Sequence, residues 1–405
     1  MVVVGGGAIG VSVAYELARR GLRTTLLERS TLAAGCSSGN AGLVCPSHSY
    51  PLATPATLRE GVRSLLRRES ALSLRPRPST LAWLARFAAA CRSNRAERAA
   101  EAVRSLSLAS LELHAELAPL GTGFERRGIL SVYETEARFA GDRREAVRSG
   151  LPAQVLSADE ARALEPALRG SIVGGIFFPN EAHVDPLRYV RALGEAAAAA
   201  GADINTDVEV RSLALSDGRV TLETGKGRLR PDIVAVAAGV WTAPLARGVG
   251  VHVPLTGGKG YHVDFAPQPD DPHVPIMIQG ARSAVTPLTG RLRVAGTLEV
   301  AGFDLRLNTA RVDALRRGAA RVLGHDDRSV IDVWAGLRPC APDGLPVIGR
   351  PTALPGLILA TGHAMKGISL APVTGRLVAE LVAGEAPSHD LAPFSPDRFH
   401  GGEHR

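Results

Sequence analysis

The chain opens as Met-Val-Val-Val and runs straight into glycines, so Val2 to Val4 reads as the end of a buried strand and not as a leader. A helix over residues 9–20 and a second strand over 24–27 complete a βαβ unit. Residues 30–55 are rich in Gly, Ser, Asn and Pro and lack apolar periodicity, which predicts a long loop; loops of that length in compact domains usually serve function. From Leu58 to about Leu120 the apolar spacing is helical, clearest in TLAWLARFAAACR and AVRSLSLASLELHAEL, and these helices read as an inserted domain.

Further along, GILSVYE predicts a strand, a polar helix follows, and SIVGGIFFPNEAHVDP is a β-rich run ending in a turn. Asp185 as N-cap, Pro186 in the first helical turn and Gly201 after the alanines at 196–200 bound one helix at both ends. VEVRSLALSDGRVTLET predicts a meander with Asp217-Gly218 at its turn, and DIVAVAAG a fully buried strand. Residues 253–334 read as strands broken by Pro and Gly clusters, which suits an antiparallel sheet. The tail repeats the opening pattern: GLILATG as strand, then glycines, then SLAPVTGRLVAELVAG as a helix closed by Gly384. The two ends and the middle thus form one nucleotide-binding domain (1–50, 157–248 and 335–405), interrupted twice by a second domain (51–156 and 249–334).

Composition narrows the classes. At 405 residues the chain exceeds one simple core, and 45% hydrophobic content excludes disorder. No apolar run reaches the about 18 residues of a spanning helix, and no signal-peptide pattern is present, so a soluble cytoplasmic protein is expected. The first strand looks clipped, which points to a start upstream. The net charge of +7 permits nucleic-acid or anionic-membrane contact, but lysine occurs only at 226, 259 and 366 among 47 basic residues, and the arginines spread along helix faces. That pattern reads as solvated surface, not a nucleic-acid patch. Cys36, Cys45, Cys91 and Cys340 have neither CxxC nor metal-ligand spacing, so reduced thiols and no metal are expected.

Gly5-x-Gly7-x-x-Gly10 lies between an apolar strand and a helix, where the glycines permit a tight turn, close approach of a pyrophosphate and close helix packing. Glu28 ends the second strand, placed to accept from ribose hydroxyls, and a carboxylate there disfavours a 2′-phosphate. A nicotinamide enzyme would continue with regular βαβ repeats. Here the chain leaves for a long loop and an insert, which favours a flavin extended between distant segments over the competing class, an NAD-dependent dehydrogenase.

With these motifs in order, the chain resembles the D-amino acid oxidase superfamily of FAD-dependent amine oxidoreductases, and within it the D-amino acid dehydrogenases and glycine oxidases. GCSSGNAGLVCP, LSLRP, WLARF, AVAAGVWT, GKGYHV, GLRPCAPDGLPVIG and GHAMKGISLAPVTGRLVAEL carry the resemblance. It implies an α/β fold: an FAD-binding Rossmann-like domain of the glutathione-reductase type, interleaved with an α+β substrate domain carrying an antiparallel sheet. It implies non-covalent FAD and oxidative deamination of D-amino acids to 2-oxo acids and ammonia. Glycine or sarcosine oxidase and D-hydroxyproline dehydrogenase are the alternatives within the same fold, and the electron acceptor is a quinone or oxygen. Peripheral contact with an anionic membrane, held weakly by the scattered arginines, is a further expectation.

The resemblance also assigns residues. Ser37, Ser38, Asn40, Ala41 and Gly42 wrap the pyrophosphate and flavin edge; Ala8 and Ile9 belong to the fingerprint; Arg29, Val208, Ala238, Gly239 and Trp241 serve the cofactor too. Gly362, His363, Lys366, Gly367 and Ile368 form a tail turn whose backbone donors face the flavin's pyrimidine carbonyl. Arg338 in GLRP forks onto the substrate carboxylate, and Tyr261 in KGY is the candidate for lining the substrate side or filling core. Two departures stand out. Met365-Lys366 replaces the second arginine of glycine oxidases, so carboxylate binding is expected to be either looser or shared with Lys366, and Cys340 stands too near Asp343 for the flavin attachment seen in sarcosine oxidases. It reads as a packed residue.

Overall fold

The computed structural model describes residues 1–64, 72–73, 78–324 and 328–399. The expected helical stretch at 58–120 and the LSLRP motif therefore lie partly outside the described residues, at 65–71 and 74–77. Two sheets organise the rest. The first has six strands in the order Val347–Gly349, Leu357–Thr361, Val234–Val236, Val2–Val4, Thr25–Leu27 and Asp203–Asn205; all but Val347–Gly349 run parallel. Their central valines, leucines and isoleucines are buried on both faces, as a parallel sheet requires.

Helices Ala8–Ala18, Pro186–Ala199 and Ala371–Ala383 cover this sheet, packed side by side. Gly375 lets two of them touch, because a Cβ there would stand 2.6 Å from the Ser12 carbonyl oxygen. Ser12 Oγ and Tyr189 Oη, both buried, join the third at 2.8 Å. The end signals act as read: Asp185 accepts from the Leu187 and Arg188 amides, and Gly384 closes the last helix at φ 72°.

The second sheet has nine strands and is mostly antiparallel. Its main path runs Val330–Cys340, Thr256–Phe265, Arg291–Val300, Ser283–Leu288, Ile276–Ile278, Ile129–Tyr133, Gly174–Phe178 and Gln154–Ser157. The stretch 253–334, expected as strands alone, also contains the helix Thr309–Leu323. Its Val312, Leu315, Ala319 and Val322 recur at helical spacing and bury one stripe against the sheet. No helix among the described residues is long and apolar enough to cross a membrane.

Packing bears on the domain division. Helix Ser93–Glu116 sends Val103, Leu106, Leu111 and Leu113 into the cluster that holds Val11, Leu17 and Leu377. Strand Gly174–Phe178, inside the segment 157–248, pairs in the antiparallel sheet instead. We propose a division that moves 93–120 to the cofactor half and 172–180 to the other.

Candidate active site

The first strand ends at Gly5, whose φ of 110° suits glycine, and a Cβ there would lie 2.6 Å from the Ala237 carbonyl oxygen. Gly10 has no room either: its Cβ would stand 1.8 Å from the Gly5 carbonyl oxygen. At Gly7, by contrast, an added Cβ would meet only Ser37 Oγ, at 3.0 Å. The helix beginning at Ala8 therefore points its positive end into a cavity of about 580 Å³ lined by Gly5, Gly7, Ala8 and Ile9. Such a helix end suits an anion such as a pyrophosphate, while Gly10 serves packing.

At one end of this cavity Glu28 accepts from the Gly6 amide at 2.7 Å and the Ser30 amide at 3.0 Å, which fixes its carboxylate on the wall. Arg29 lies over the Trp241 ring at 4.0 Å, and both line the same end with Ala238 and Gly239. The wall near Val208 is formed by Glu209 to Ser212; Val208 itself is buried and donates its amide to the Glu28 carbonyl. Glu28→Ala is expected to cost about 1–3 kcal/mol of FAD affinity, the size of charge-assisted hydrogen bonds to the ribose. Fluorescence titration of the apoprotein measures it, and an unchanged affinity removes Glu28 from the ribose site.

The loop after Glu28 is held from the far side. Arg293, buried, donates through Nη1 to the carbonyls of Ser38 and Asn40, at 2.5 and 2.9 Å, while Nε and Nη2 fork onto Asp264 at 2.8 and 2.7 Å. His262 Nδ1 sits 3.3 Å from the Gly39 carbonyl oxygen, and its ring stacks on Trp334. Because the peptide is trans, a carbonyl drawn toward Arg293 turns the next amide, of Gly39 or Ala41, the opposite way, toward the cavities. Ser37 Oγ accepts from the Ala8 amide at 2.9 Å, and Asn40 Oδ1 accepts from the Gly42 amide, closing the loop. Ser38 and Gly42 line neither cavity and act through this backbone.

These holding residues escaped the sequence reading. His262, Asp264 and Asp332 also come within 4.8 Å of one another, a spacing a metal could use. Arg293 and Arg291 both pair with Asp264, which puts two positive charges where a cation would sit. Burial, then Arg293, holds the His262 imidazole below its ordinary pKa.

At the other end the tail turn brings His363, Gly367 and Ile368 to the wall, with Gly362 buried behind it. Burial pushes His363 down to about 3, so its ring is neutral and pairs with Thr374 Oγ1 at 2.9 Å. Strand Val330–Cys340 offers Trp334, Gly336 and Arg338 on one face by period-two alternation. A Cβ at Gly336 would enter the Trp334 ring, and one at Gly39 would too.

Arg338 stands on the wall shared with a second cavity of about 480 Å³. Its Nη1 donates to the Thr297 carbonyl at 2.7 Å and its Nη2 reaches that of Gly296 at 3.5 Å, and among the described residues no carboxylate pairs with it. Gly260 makes the space: a Cβ there would lie 2.0 Å from Arg338 Nη1. In the KGY motif the glycine thus faces the site. Tyr261, one residue on, points to the opposite face, where its hydroxyl donates to Glu299 at 3.2 Å within the core under helix Thr309–Leu323; it lines neither cavity. Its proposed place at the substrate side does not match this geometry, for the simple reason of strand alternation.

Lys366 lines the second cavity together with Arg338, Asn40 and Ala41, and its Nζ donates to the Tyr50 carbonyl at 3.2 Å. Burial pushes its amine down to about 7. Cys340 is buried in a cluster with Leu52, Trp83, Phe87 and Leu298 and lines neither cavity.

A parallel sheet with a glycine-cradled helix end, an acidic residue closing the second strand and an adjoining cavity under an antiparallel sheet define a dinucleotide-dependent oxidoreductase. The family model described as DAO, FAD dependent oxidoreductase, matches residues 1–381, and the chain belongs to that family. It is similar to a D-amino acid dehydrogenase of Paramagnetospirillum magneticum, 34% identical over 98% of each chain. A D-amino acid dehydrogenase 2 of Ralstonia nicotianae is 36% identical over 97% of this chain and 98% of its own. Among solved structures, glycine oxidase from Geobacillus kaustophilus superposes with a TM-score of 0.81, at 28% identity over 98% of each chain. The cradle described above fits FAD: its open approach at Gly7 suits the pyrophosphate, and Glu28 suits the ribose.

Proposed function

We propose that the protein is a D-amino acid dehydrogenase that binds FAD without a covalent link and converts D-amino acids to 2-oxo acids and ammonia. One observation carries this reading: a guanidinium between two cavities, bonded among the described residues to backbone carbonyls alone, has donors to fork onto a substrate carboxylate. Bound FAD supplies a hydride acceptor. Arg338 fixes the carboxylate, which directs the α-carbon toward the cofactor cavity, and this orientation is the chain's main contribution. Lys366, with its amine near neutrality, lines the same cavity and shares the carboxylate while charged. The loop amides turned by Arg293 and the tail turn at His363 to Ile368 supply donors for charge that grows during the step. The product imine then hydrolyses in water.

The Lys366 amine gives a pH prediction. Below about 7 it is charged and aids carboxylate binding; above that it is neutral, while Arg338 keeps its charge. The affinity for an unreactive carboxylate such as benzoate therefore falls as pH rises through neutrality, and Lys366→Arg keeps it flat. A flat profile in the parent protein rejects the shared role.

The names of the relatives support a quinone or dye acceptor over oxygen. Exposed Phe303, Leu305 and Leu307 support weak peripheral contact with a membrane where quinone resides, although Arg306 between them is neutralised by Asp304. Reduced enzyme mixed with a soluble quinone analogue is expected to reoxidise faster than in air-saturated buffer. The reverse order makes it an oxidase.

A further inference from the structure

The second cavity is longer than a small amino acid needs. Ala295, Ala284, Met277, Ser131 and Ile176 form one cross-strand row, each in register with the next, and all five line it. Five strands at about 4.8 Å spacing give a floor of roughly 19 Å. Arg338 stands at the Ala295 end, bonded to the carbonyls of Gly296 and Thr297.

Three further guanidinium groups line the cavity along this row. Arg138 donates to Gln279 Oε1 at 3.4 Å and lies 3.9 Å from Asp142; Arg282 pairs with Glu60. Among the described residues Arg104 donates to the Ser149 carbonyl alone, at 3.4 Å, and its buried Nε has no acceptor. Each carries five N–H donors, so most remain available. The two carboxylates on the wall are already engaged. Glu145 accepts from Tyr50 Oη at 2.7 Å and pairs with Arg148, and Asp142 takes the Tyr133 hydroxyl. Spare donors and occupied acceptors suit an acceptor at the far end of the substrate.

Resting on the amino acid reading above, we infer that the preferred substrate is an elongated dicarboxylic amino acid, with its α-carboxylate on Arg338 and its distal carboxylate among Arg104, Arg138 and Gln279. A cationic end would meet the guanidinium groups beside carboxylates already bonded to Tyr50, Arg148 and Tyr133, and an apolar end would leave the spare donors unused.

Three substrates of equal chain length separate these cases: D-2-aminoadipate, D-norleucine and D-lysine, assayed with a dye acceptor at low salt. The holoenzyme is expected to give D-2-aminoadipate a kcat/KM at least about tenfold above D-norleucine, with D-lysine lowest, the margin of one charge-assisted pair. Added salt narrows the order, and Arg104→Gln with Arg138→Gln brings the ratio of D-2-aminoadipate to D-norleucine toward one. D-lysine or D-norleucine equal to or above D-2-aminoadipate overturns the inference while leaving the amino acid reading intact. Turnover of no D-amino acid, D-alanine included, rejects that reading and the inference together.

Discussion

Arg338→Ala is expected to lower kcat/KM for amino acids by on the order of 2–4 kcal/mol, while FAD stays bound. The guanidinium touches the substrate cavity and is bonded to two backbone carbonyls, so its removal takes away carboxylate donors without leaving a carboxylate unpaired. Burial lowers its pKa, and a bound carboxylate offsets that cost by favouring the charged form. A simple amine without the carboxylate should lose far less. Steady-state kinetics on a matched pair, an amino acid and its decarboxylated amine, measures the difference; equal losses reject the anchoring role.

Arg293→Ala acts on the cofactor loop and on stability together. It leaves the buried Asp264 carboxylate with Arg291 as its one remaining arginine partner, at 3.1 Å, and frees the Ser38 and Asn40 carbonyls. Breaking one partner from such a buried pair costs about 3–5 kcal/mol. Thermal unfolding should show the loss of stability, and FAD titration a weaker affinity that saturating FAD partly restores in the melting temperature. Lower stability with FAD affinity unchanged confines Arg293 to the core.

The chain disclosed its cofactor half through local chemistry. The Asp185 cap and the Gly384 stop act within a few residues of their own position, and Glu28 meets the Gly6 amide inside one βαβ unit, so these roles follow from spacing. The motif singled out Arg338, and the gap at Gly260 leaves room for it on the wall between the two cavities. Tyr261 was not legible because strand neighbours face opposite ways and only the packed sheet tells which face meets the cofactor half. The regular run of Trp334, Gly336 and Arg338 was the available signal for that face. Arg293 and His262 act on a loop more than 220 positions earlier in the chain, and no local pattern encodes such a contact. Helix Thr309–Leu323 carries helical apolar spacing, but the strand-like segments around it hide that signal, so the stretch reads as strands alone.

The visible spectrum of the purified protein, recorded without oxygen before and after adding each enantiomer of a common amino acid, decides whether this is a D-amino acid flavoenzyme. That assignment requires a flavin spectrum that bleaches with the D-enantiomer and much more slowly with the L-enantiomer. A protein without flavin absorbance, or a flavin that neither enantiomer bleaches, contradicts it.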